Sequence, residues 1–202
     1  MDRPAPVGPP SSVLILHGWQ NRRPDGHWQR WLAGELEATG ARVRYPQLPD
    51  PDEPVLEDWI TALEQQLDGV DPGGLTVVAH SLGCLLWLAH ATRRADRGAT
   101  SPLARRVILV APAAPDVLRG IPEIAAFAPD LEEPATRAAL AASAFERVTI
   151  VAGTEDPYCP EGAQITYAQP LDADLVPVEG GGHLTIDDGY GPFPLVLDLA
   201  TR

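Results

Sequence analysis

The stretch at residues 75–89 constrains the fold more than any other part of the chain. It begins as an apolar run rich in β-branched residues, changes character at Ala-His-Ser-Leu-Gly (79–83), and continues as a long apolar segment. This pattern predicts a buried strand that turns directly into a buried helix. Small side chains at Ala79 and Gly83 would let the strand and the helix approach closely, which leaves the hydroxyl of Ser81 at the tip of the turn.

Ser81 has two interpretations. A strand–turn–helix elbow is typical of a serine nucleophile, and the first helix amide, at Leu82, would face an oxyanion formed beside the hydroxyl. Ala79 stands where such elbows usually have glycine, a departure that keeps the side chain small. The alternative is an ordinary serine that caps the N-terminus of the helix. The strand-to-helix context favours the nucleophile.

Five further apolar segments are predicted as strands, and segments with helical spacing separate most of them. A chain of 202 residues fits one domain. The alternation predicts an α/β fold with one mostly parallel six-stranded sheet, in the strand order 2-1-3-4-5-6, covered by helices on both faces. Pro177 indicates an edge position for the last strand. The further strands are predicted at residues 13–17, 41–45, 106–111, 148–152 and 175–178.

The connecting segments predict helices, a reduced lid and an arm. Asp25 is the predicted cap of the first helix, and His27 is the alternative cap if it does not line the pocket. Prolines break the pattern at residues 112–146, which predicts a reduced lid. Residues 1–12 are predicted as a flexible, proline-rich arm before a domain at 13–202. Outside the elbow, helices are predicted at residues 28–36, 55–67, 135–144 and 193–199.

Composition excludes several classes of function. The formal net charge of −13 argues against nucleic acid and anionic membranes as partners. The chain has no lysine, which excludes a Schiff-base lysine, a pyridoxal-phosphate anchor and a P-loop lysine. No apolar run has the length of a secretory signal or a membrane span. Because Cys84 and Cys159 have neither metal-site spacing nor a disulfide framework, we expect a cytoplasmic protein without metal or cofactor.

Three chemistry-bearing residues follow three of the predicted strands. Ser81 follows the third strand, Asp156 the fifth and His183 the sixth. In an open parallel sheet, reactive groups gather beyond the carboxyl ends of the strands, so these side chains are expected to meet. The chain order Ser, Asp, His is that of α/β-hydrolases. The joint placement predicts a catalytic triad.

The three residues would have distinct roles. A serine hydroxyl needs a base within hydrogen-bond reach, and His183, on a glycine-rich loop, would take the proton of Ser81 and return it to the leaving group. Asp156 would hold the other ring nitrogen. The alternatives are a loop histidine without a catalytic role and an aspartate that forms a turn before a proline. Glu155 and Asp187 are the substitute carboxylates in that case.

The end of the first strand predicts a second oxyanion donor and part of a substrate pocket. His17 and Gly18 match a turn that brings a backbone N–H toward the oxyanion, so the N–H of Trp19 is expected beside that of Leu82. His80, next to the proposed nucleophile, is expected to point away from it. The residues predicted to line the substrate pocket are His17, Gly18, His27, Trp28, Tyr158 and Leu184.

Five motifs are distributed from the first predicted strand to the last predicted helix. They are His-Gly-Trp at 17–19, Gly-His-Trp at 26–28, Ala-His-Ser-Leu-Gly at 79–83, Asp-Pro-Tyr-Cys-Pro at 156–160, and Gly-His-Leu-Thr-Ile-Asp-Asp-Gly-Tyr-Gly at 182–191 before Pro194. Together they resemble the small α/β-hydrolases of the YdeN and retinoblastoma-binding-protein-nine type. The resemblance implies a minimal hydrolase fold with little cap, and its catalytic residues fall on Ser81, Asp156 and His183. It also implies esterase-like activity, with peptidase activity attributed to some members.

The expected function is hydrolysis of a small carboxylic ester through an acyl-serine intermediate. Cleavage of amides, peptides or thioesters by the same triad is one alternative, and a non-catalytic binding protein on a hydrolase fold is another. A dehalogenase-like mechanism is excluded because Ser81 replaces the aspartate nucleophile. The docking motif Leu-x-Cys-x-Glu is absent, so no retinoblastoma-type partner is expected. The oligomeric state is left open.

Overall fold

One parallel sheet of six strands forms the centre of the molecule, and the strands, numbered along the chain, lie in the order 2-1-3-4-5-6. The computed structural model describes residues 12–202, and both the predicted strand order and the predicted edge position of the last strand are confirmed. The arm predicted for residues 1–12 lies outside the described residues except for Ser12, which begins the first strand. The strands are β1 (Ser12–Leu16), β2 (Arg42–Arg44), β3 (Leu75–His80), β4 (Arg106–Val110), β5 (Thr149–Gly153) and β6 (Asp174–Val178).

Helices connect most of the strands. Within residues 12–202, no helix combines the length and the apolar character that a membrane span requires. The proline-broken segment at 112–146 contains two short α-helices and a 3₁₀ helix, and it packs its Leu118 and Phe127 into the core. The α-helices are α1 (Trp28–Ala38), α2 (Leu56–Leu67), α3 (Leu82–Asp96), α4 (Pro115–Arg119), α5 (Pro134–Ala141) and α6 (Pro194–Thr201).

The sheet is covered on both faces because its strands are apolar on both sides. In β1, Leu14 and Leu16 belong to one hydrophobic cluster, whereas Val13 and Ile15 belong to another. The first cluster contains the buried faces of α2, α3 and α5, and the second contains those of α1 and α6. Alternation of side chains along a strand produces this division. Helix α3 is apolar nearly all round and is buried over most of its length, as a central helix requires.

The cap of α1 differs from the first prediction. The helix begins at Trp28, and the Nδ1 atom of His27 accepts a hydrogen bond from the N–H of Gln29 at 3.2 Å. Asp25 lies two residues before the cap position, where its exposed carboxylate pairs with Arg30 instead. The alternative prediction, that His27 caps the helix, is confirmed.

The turn from β3 into α3 is packed against the end of β1. A Cβ atom added at Gly83 would lie 2.7 Å from the carbonyl oxygen of His17 and 2.8 Å from that of Leu16. These are backbone atoms at the end of β1 and directly after it, so they cannot move aside as a flexible side chain would. The close approach of the helix to the strand therefore requires glycine at position 83. The same approach brings Ser81 to the loop that follows β1.

Substitution of Gly83 tests this packing. We expect Gly83→Ala to lower the free energy of unfolding by about 1–3 kcal/mol, because the added methyl group overpacks the interface between α3 and β1. Gly34→Ala is the matched control, since Gly34 lies in α1 with nothing within 4 Å of an added Cβ. That variant should gain about 0.5–1 kcal/mol from the better helix propensity of alanine. Urea unfolding of both proteins measures the two changes, and equal effects would contradict the packing account.

Candidate active site

Ser81 occupies a strained position at the tip of the turn. Its backbone dihedrals are φ 52° and ψ −122°, a region that non-glycine residues rarely occupy and that recurs at functional sites. Ser81 stands at the N-cap position of α3, yet its side chain makes no capping hydrogen bond. The capping interpretation of this serine therefore has no support in the geometry. The hydroxyl instead faces a histidine.

A hydrogen-bond chain joins Ser81, His183 and Asp156. The Nε2 atom of His183 lies 2.8 Å from the Oγ of Ser81, and its Nδ1 lies 2.9 and 3.0 Å from the two carboxylate oxygens of Asp156. Because a carboxylate only accepts, the Nδ1 of the neutral ring carries the proton. Nε2 is then the acceptor for the hydroxyl proton of Ser81. The arrangement can activate the hydroxyl as a nucleophile.

The carboxylate of Asp156 also organises its own loop. Its Oδ1 accepts a hydrogen bond from the N–H of Tyr158 at 2.8 Å, so the same group forms a turn and holds His183. The sequence offers two alternatives for Asp156, a turn before a proline and a hydrogen bond to His183. In the structure the same carboxylate makes both contacts. The substitute carboxylates Glu155 and Asp187 are exposed, whereas Asp156 is buried.

The loops after β5 and β6 approach each other closely, and this brings Asp156 to His183. A Cβ atom added at Gly153 would lie only 2.1 Å from the carbonyl oxygen of Gly182. The N–H of Thr154 donates to the carbonyl of Val178 at 3.1 Å, which extends the pairing of the two strands into the loops. The absence of a side chain at Gly153 is thus a condition for the contact between Asp156 and His183.

Two backbone N–H groups near Ser81 are available for an oxyanion. Leu82 is the first residue of α3, so its N–H has no partner inside the helix. No acceptor within residues 12–202 takes the N–H of Trp19. Gly18 brings this loop against the serine, since an added Cβ would lie 2.9 Å from the Cβ and 3.3 Å from the Oγ of Ser81. The loop is held by the indole N–H of Trp19, which donates to the carbonyl of Asp52 at 3.0 Å.

A cleft of about 630 Å³ opens over Ser81 and His183. Three of the predicted pocket residues, Gly18, His27 and Tyr158, line it, and so does Trp19. Residues from the segment at 112–146 form another part of the wall. Sequence reasoning missed these because the segment has no clear periodicity and its loop residues carry no chemical signature. The further lining residues include Asn21, Arg22, Ala113, Leu118, Ile124, Ile186, Asp187 and Asp188.

Three predicted pocket residues do not line the cleft, and the prediction for them is corrected. His17, Trp28 and Leu184 are completely buried. The Nε2 of His17 accepts the N–H of Leu48 at 2.9 Å, and its Nδ1 lies 2.8 Å from the carbonyl of Gly18. The indole N–H of Trp28 donates to the carbonyl of Leu184 at 2.9 Å. The ring nitrogens of His17 and Trp28 are therefore bonded to backbone groups of the loops around the site, and they are not available to a ligand in the cleft.

Burial keeps the histidines around the site neutral. It lowers the pKa of both His17 and His27 to about 4, since an imidazolium is poorly solvated in the interior. Burial also holds the pKa of His80 well below its usual range. In His27 the Nδ1 accepts the N–H of Gln29, so the proton lies on Nε2. The three buried histidines near His183 are therefore uncharged. Among residues 12–202, no group of three or more His, Cys, Asp or Glu side chains is arranged to hold a metal ion.

The sheet order and the serine elbow define an α/β-hydrolase, and comparison with known proteins agrees. The family described as Serine hydrolase matches residues 13–202, so the chain belongs to this family of enzymes. The chain is 30% identical over 192 residues to a Bacillus subtilis protein named as a hydrolase, YdeN, and the match covers 94% of each protein. The predicted family is confirmed.

Solved structures of related proteins have the same fold. The crystal structure of the ydeN gene product of B. subtilis matches with a TM-score of 0.76 and 28% identity, over 94% of this chain and 96% of that one. A YdeN-like hydrolase from Pectobacterium atrosepticum matches with a TM-score of 0.68 and 22% identity, over 93% and 87% of the two chains. The predicted minimal hydrolase architecture is thus shared with relatives of similar length.

The neutral state of His27 predicts a specific pH dependence of stability. Between about pH 6.5 and pH 4 the unfolded chain binds a proton at this residue that the folded chain does not, so the free energy of unfolding falls as the pH falls. His27→Asn removes the titrating group and keeps a side-chain acceptor at the helix cap. We expect the loss of stability between pH 7 and pH 5 to shrink by about 1–2 kcal/mol in this variant. Urea unfolding at the two pH values measures it, and an unchanged loss would contradict the assignment.

Proposed function

We propose that this serine hydrolase cleaves small carboxylic esters through an acyl-serine intermediate, with Ser81, His183 and Asp156 as its catalytic triad. The observation that supports the proposal best is the continuous hydrogen-bond chain from Oγ through the imidazole to the carboxylate. The missing cap bond of Ser81 and its positive φ agree with a nucleophile. A capping serine would use its hydroxyl on the helix.

In the first half of the reaction, Oγ of Ser81 attacks the ester carbonyl carbon while Nε2 of His183 takes the hydroxyl proton. The carbonyl electron pair moves to oxygen, and the N–H groups of Leu82 and Trp19 stabilise the resulting oxyanion. Loss of one such donor typically costs about 10²–10³-fold in rate. When the tetrahedral intermediate collapses, the bond to the alcohol oxygen breaks and that oxygen takes the proton from Nε2. The acyl group remains on Oγ.

In the second half, a water molecule takes the place of the alcohol. Nε2 of His183 accepts a proton from this water as its oxygen attacks the acyl carbon. Collapse breaks the bond to Oγ, which recovers its proton from Nε2, and the carboxylic acid leaves. Throughout both halves the buried carboxylate of Asp156 holds Nδ1–H and stabilises the imidazolium that forms each time.

The cleft favours a small, uncharged ester. Leu118 and Ile124 supply apolar surface for an acyl group, and the carboxylates of Asp187 and Asp188 lie along the same cleft and disfavour an acidic substrate. Arg22 also lines the cleft, but it is paired with the carboxylate of Asp52, so it offers little attraction to an anion.

The proposal includes a cytoplasmic location. Cys84 and Cys159 are both buried and unpaired with each other, which fits a reducing compartment.

The role of Ser81 is tested by replacing its hydroxyl. A fluorophosphonate should label the wild-type protein once, at Ser81, and a short-chain nitrophenyl ester should be turned over. Ser81→Ala should show neither reaction, because among residues 12–202 no other hydroxyl that lines the cleft is hydrogen-bonded to a histidine. Intact-mass measurement and peptide mapping locate the adduct.

The same acyl group offered as an oxygen ester, a thioester and an amide separates the possible substrates. We expect the ester to have the highest kcat/KM. A preference for the amide or the thioester would keep the triad and change the substrate class. An unlabelled wild-type protein that turns over none of the three would instead support the non-catalytic alternative.

The role of Asp156 is tested with a carboxylate control. Asp156→Asn removes the charge that favours the Nδ1 tautomer and the imidazolium, so kcat should fall by about 10⁴-fold, as in other Ser–His–Asp enzymes. Glu155→Gln removes the neighbouring exposed carboxylate and should leave kcat within about twofold of the wild type, since surface charges of this kind contribute little. Steady-state kinetics on the nitrophenyl ester compare the two. Similar losses in both variants would argue against Asp156 as the acid.

A further inference from the structure

The imidazole of His80 lies against the proposed base, at the edge of the cleft. His80 is the last residue of β3, immediately before Ser81, and only 3% of it is exposed. Its Nε2 lies 3.0 Å from the backbone carbonyl oxygen of His183. The ring centroids of His80 and His183 are 5.3 Å apart. The residue that the sequence leaves without a role thus contacts the backbone of the base.

The carbonyl fixes the tautomer of His80. A carbonyl oxygen can only accept, so the Nε2 of His80 carries the ring proton. Its N–H donates a hydrogen bond to the backbone carbonyl of His183. The Nδ1 of His80 is then an acceptor, and it is buried without a hydrogen-bond partner among residues 12–202. Leaving one buried ring nitrogen unpaired costs free energy. The folded protein thus keeps the hydrogen bond to the carbonyl of His183 although the Nδ1 of His80 is left unpaired.

The next carbonyl along the chain is held in the same way. The indole N–H of Trp28, at the start of α1, donates to the carbonyl of Leu184 at 2.9 Å. Leu184 has φ 57°, a left-handed conformation that a branched side chain rarely adopts. Two ring N–H groups from two different elements therefore clamp two successive carbonyls, and the strained residue lies next to His183.

We propose that His80 is a positioning residue for the reaction, which holds the backbone of His183 so that its Nε2 reaches the Oγ of Ser81. This inference rests on the proposed function of the triad. One strand end then controls both partners of the proton transfer, because Ser81 follows His80 directly in the chain. The hydrogen bond from His80 to the carbonyl of His183 thus helps to set the 2.8 Å separation between the Nε2 of His183 and the Oγ of Ser81.

Removing the donor should affect the chemical step and leave binding largely intact. Without the N–H of His80, the carbonyl of His183 loses its partner and the loop can shift, and a displacement of about 1 Å at a reacting group can cost about 10²-fold in rate. We expect His80→Leu to lower kcat roughly 10–100-fold with KM within about twofold. His80→Gln, whose amide N–H can reach the same carbonyl, should recover most of the loss.

A matched control separates positioning from the general effect of changing a buried histidine. His90 in α3 is also 3% exposed and has a buried Nδ1 without a hydrogen-bond partner within residues 12–202, yet it lies far along the helix from Ser81. His90→Leu and His90→Gln should lower stability without a selective loss of kcat. Urea unfolding of all four variants identifies the fraction that is folded under assay conditions.

The experiment combines kinetics on the nitrophenyl ester with proton NMR of the Nδ1–H of His183. This proton gives a downfield resonance when it is hydrogen-bonded to Asp156, and the resonance can be measured without turnover. The expected result is a fall in kcat and a shifted or broadened resonance in His80→Leu, both restored in His80→Gln, with neither change in the His90 pair. If His80→Leu does not fold, His80→Asn, which is polar but too short to reach the carbonyl, takes its place.

Two outcomes would overturn the inference. One is a His80→Leu or His80→Asn protein with wild-type kcat and an unmoved resonance. The other is a loss of kcat that His80→Gln does not restore and that the His90 variants reproduce. A wild-type protein that is inactive toward all esters would reject the proposed function instead, while the resonance in the His80 variants would still test the clamp on His183.

Discussion

The close approach of α3 to the end of β1 is the constraint on which the site depends. Gly83 permits this approach because a side chain there would meet the backbone of His17 and Leu16. The turn that results forces Ser81 into a positive φ, which keeps its hydroxyl away from the helix end and directs it toward His183. The N–H of Leu82 and the loop of Gly18 arrive beside the hydroxyl through the same packing.

A second constraint is the low solvation of the ring nitrogens around the site. His17, His27 and His80 are buried and stay neutral, so each uses a ring nitrogen as a directed donor or acceptor for the backbone. A charged imidazolium in any of these positions would lose hydration and would repel the imidazolium of His183 that the proposed mechanism requires. His17, His27 and His80 therefore give structural support to His183, the proposed base.

Much of the fold could be predicted from the sequence because its signals are local. Apolar runs predict the strands, and apolar residues at helical spacing predict α1 and α2. The chain order of Ser81, Asp156 and His183 is typical of the α/β-hydrolase sheet, whose strand order the structure has. The walls of the cleft could not be predicted equally well. Trp28 follows His27 and Leu184 follows His183 in the chain, but adjacency does not say whether a side chain faces the cleft or the core.

The contact between His80 and His183 was also beyond sequence reasoning. The two residues are 103 positions apart, and only the folded loops bring the ring to the carbonyl. Leu118 and Ile124 reach the cleft through a segment without regular periodicity, so no pattern marks them. In each case the missing information is the direction of a side chain, which depends on the packing of elements far apart in the chain.

The most direct test of the account is a crystal structure of the protein after reaction with a short-chain phosphonate. The account predicts a phosphorus atom bonded to the Oγ of Ser81, a phosphoryl oxygen within hydrogen-bond distance of the N–H groups of Leu82 and Trp19, and the imidazole of His183 still held by Asp156. An adduct on another residue, or a phosphoryl oxygen directed away from both N–H groups, would contradict it.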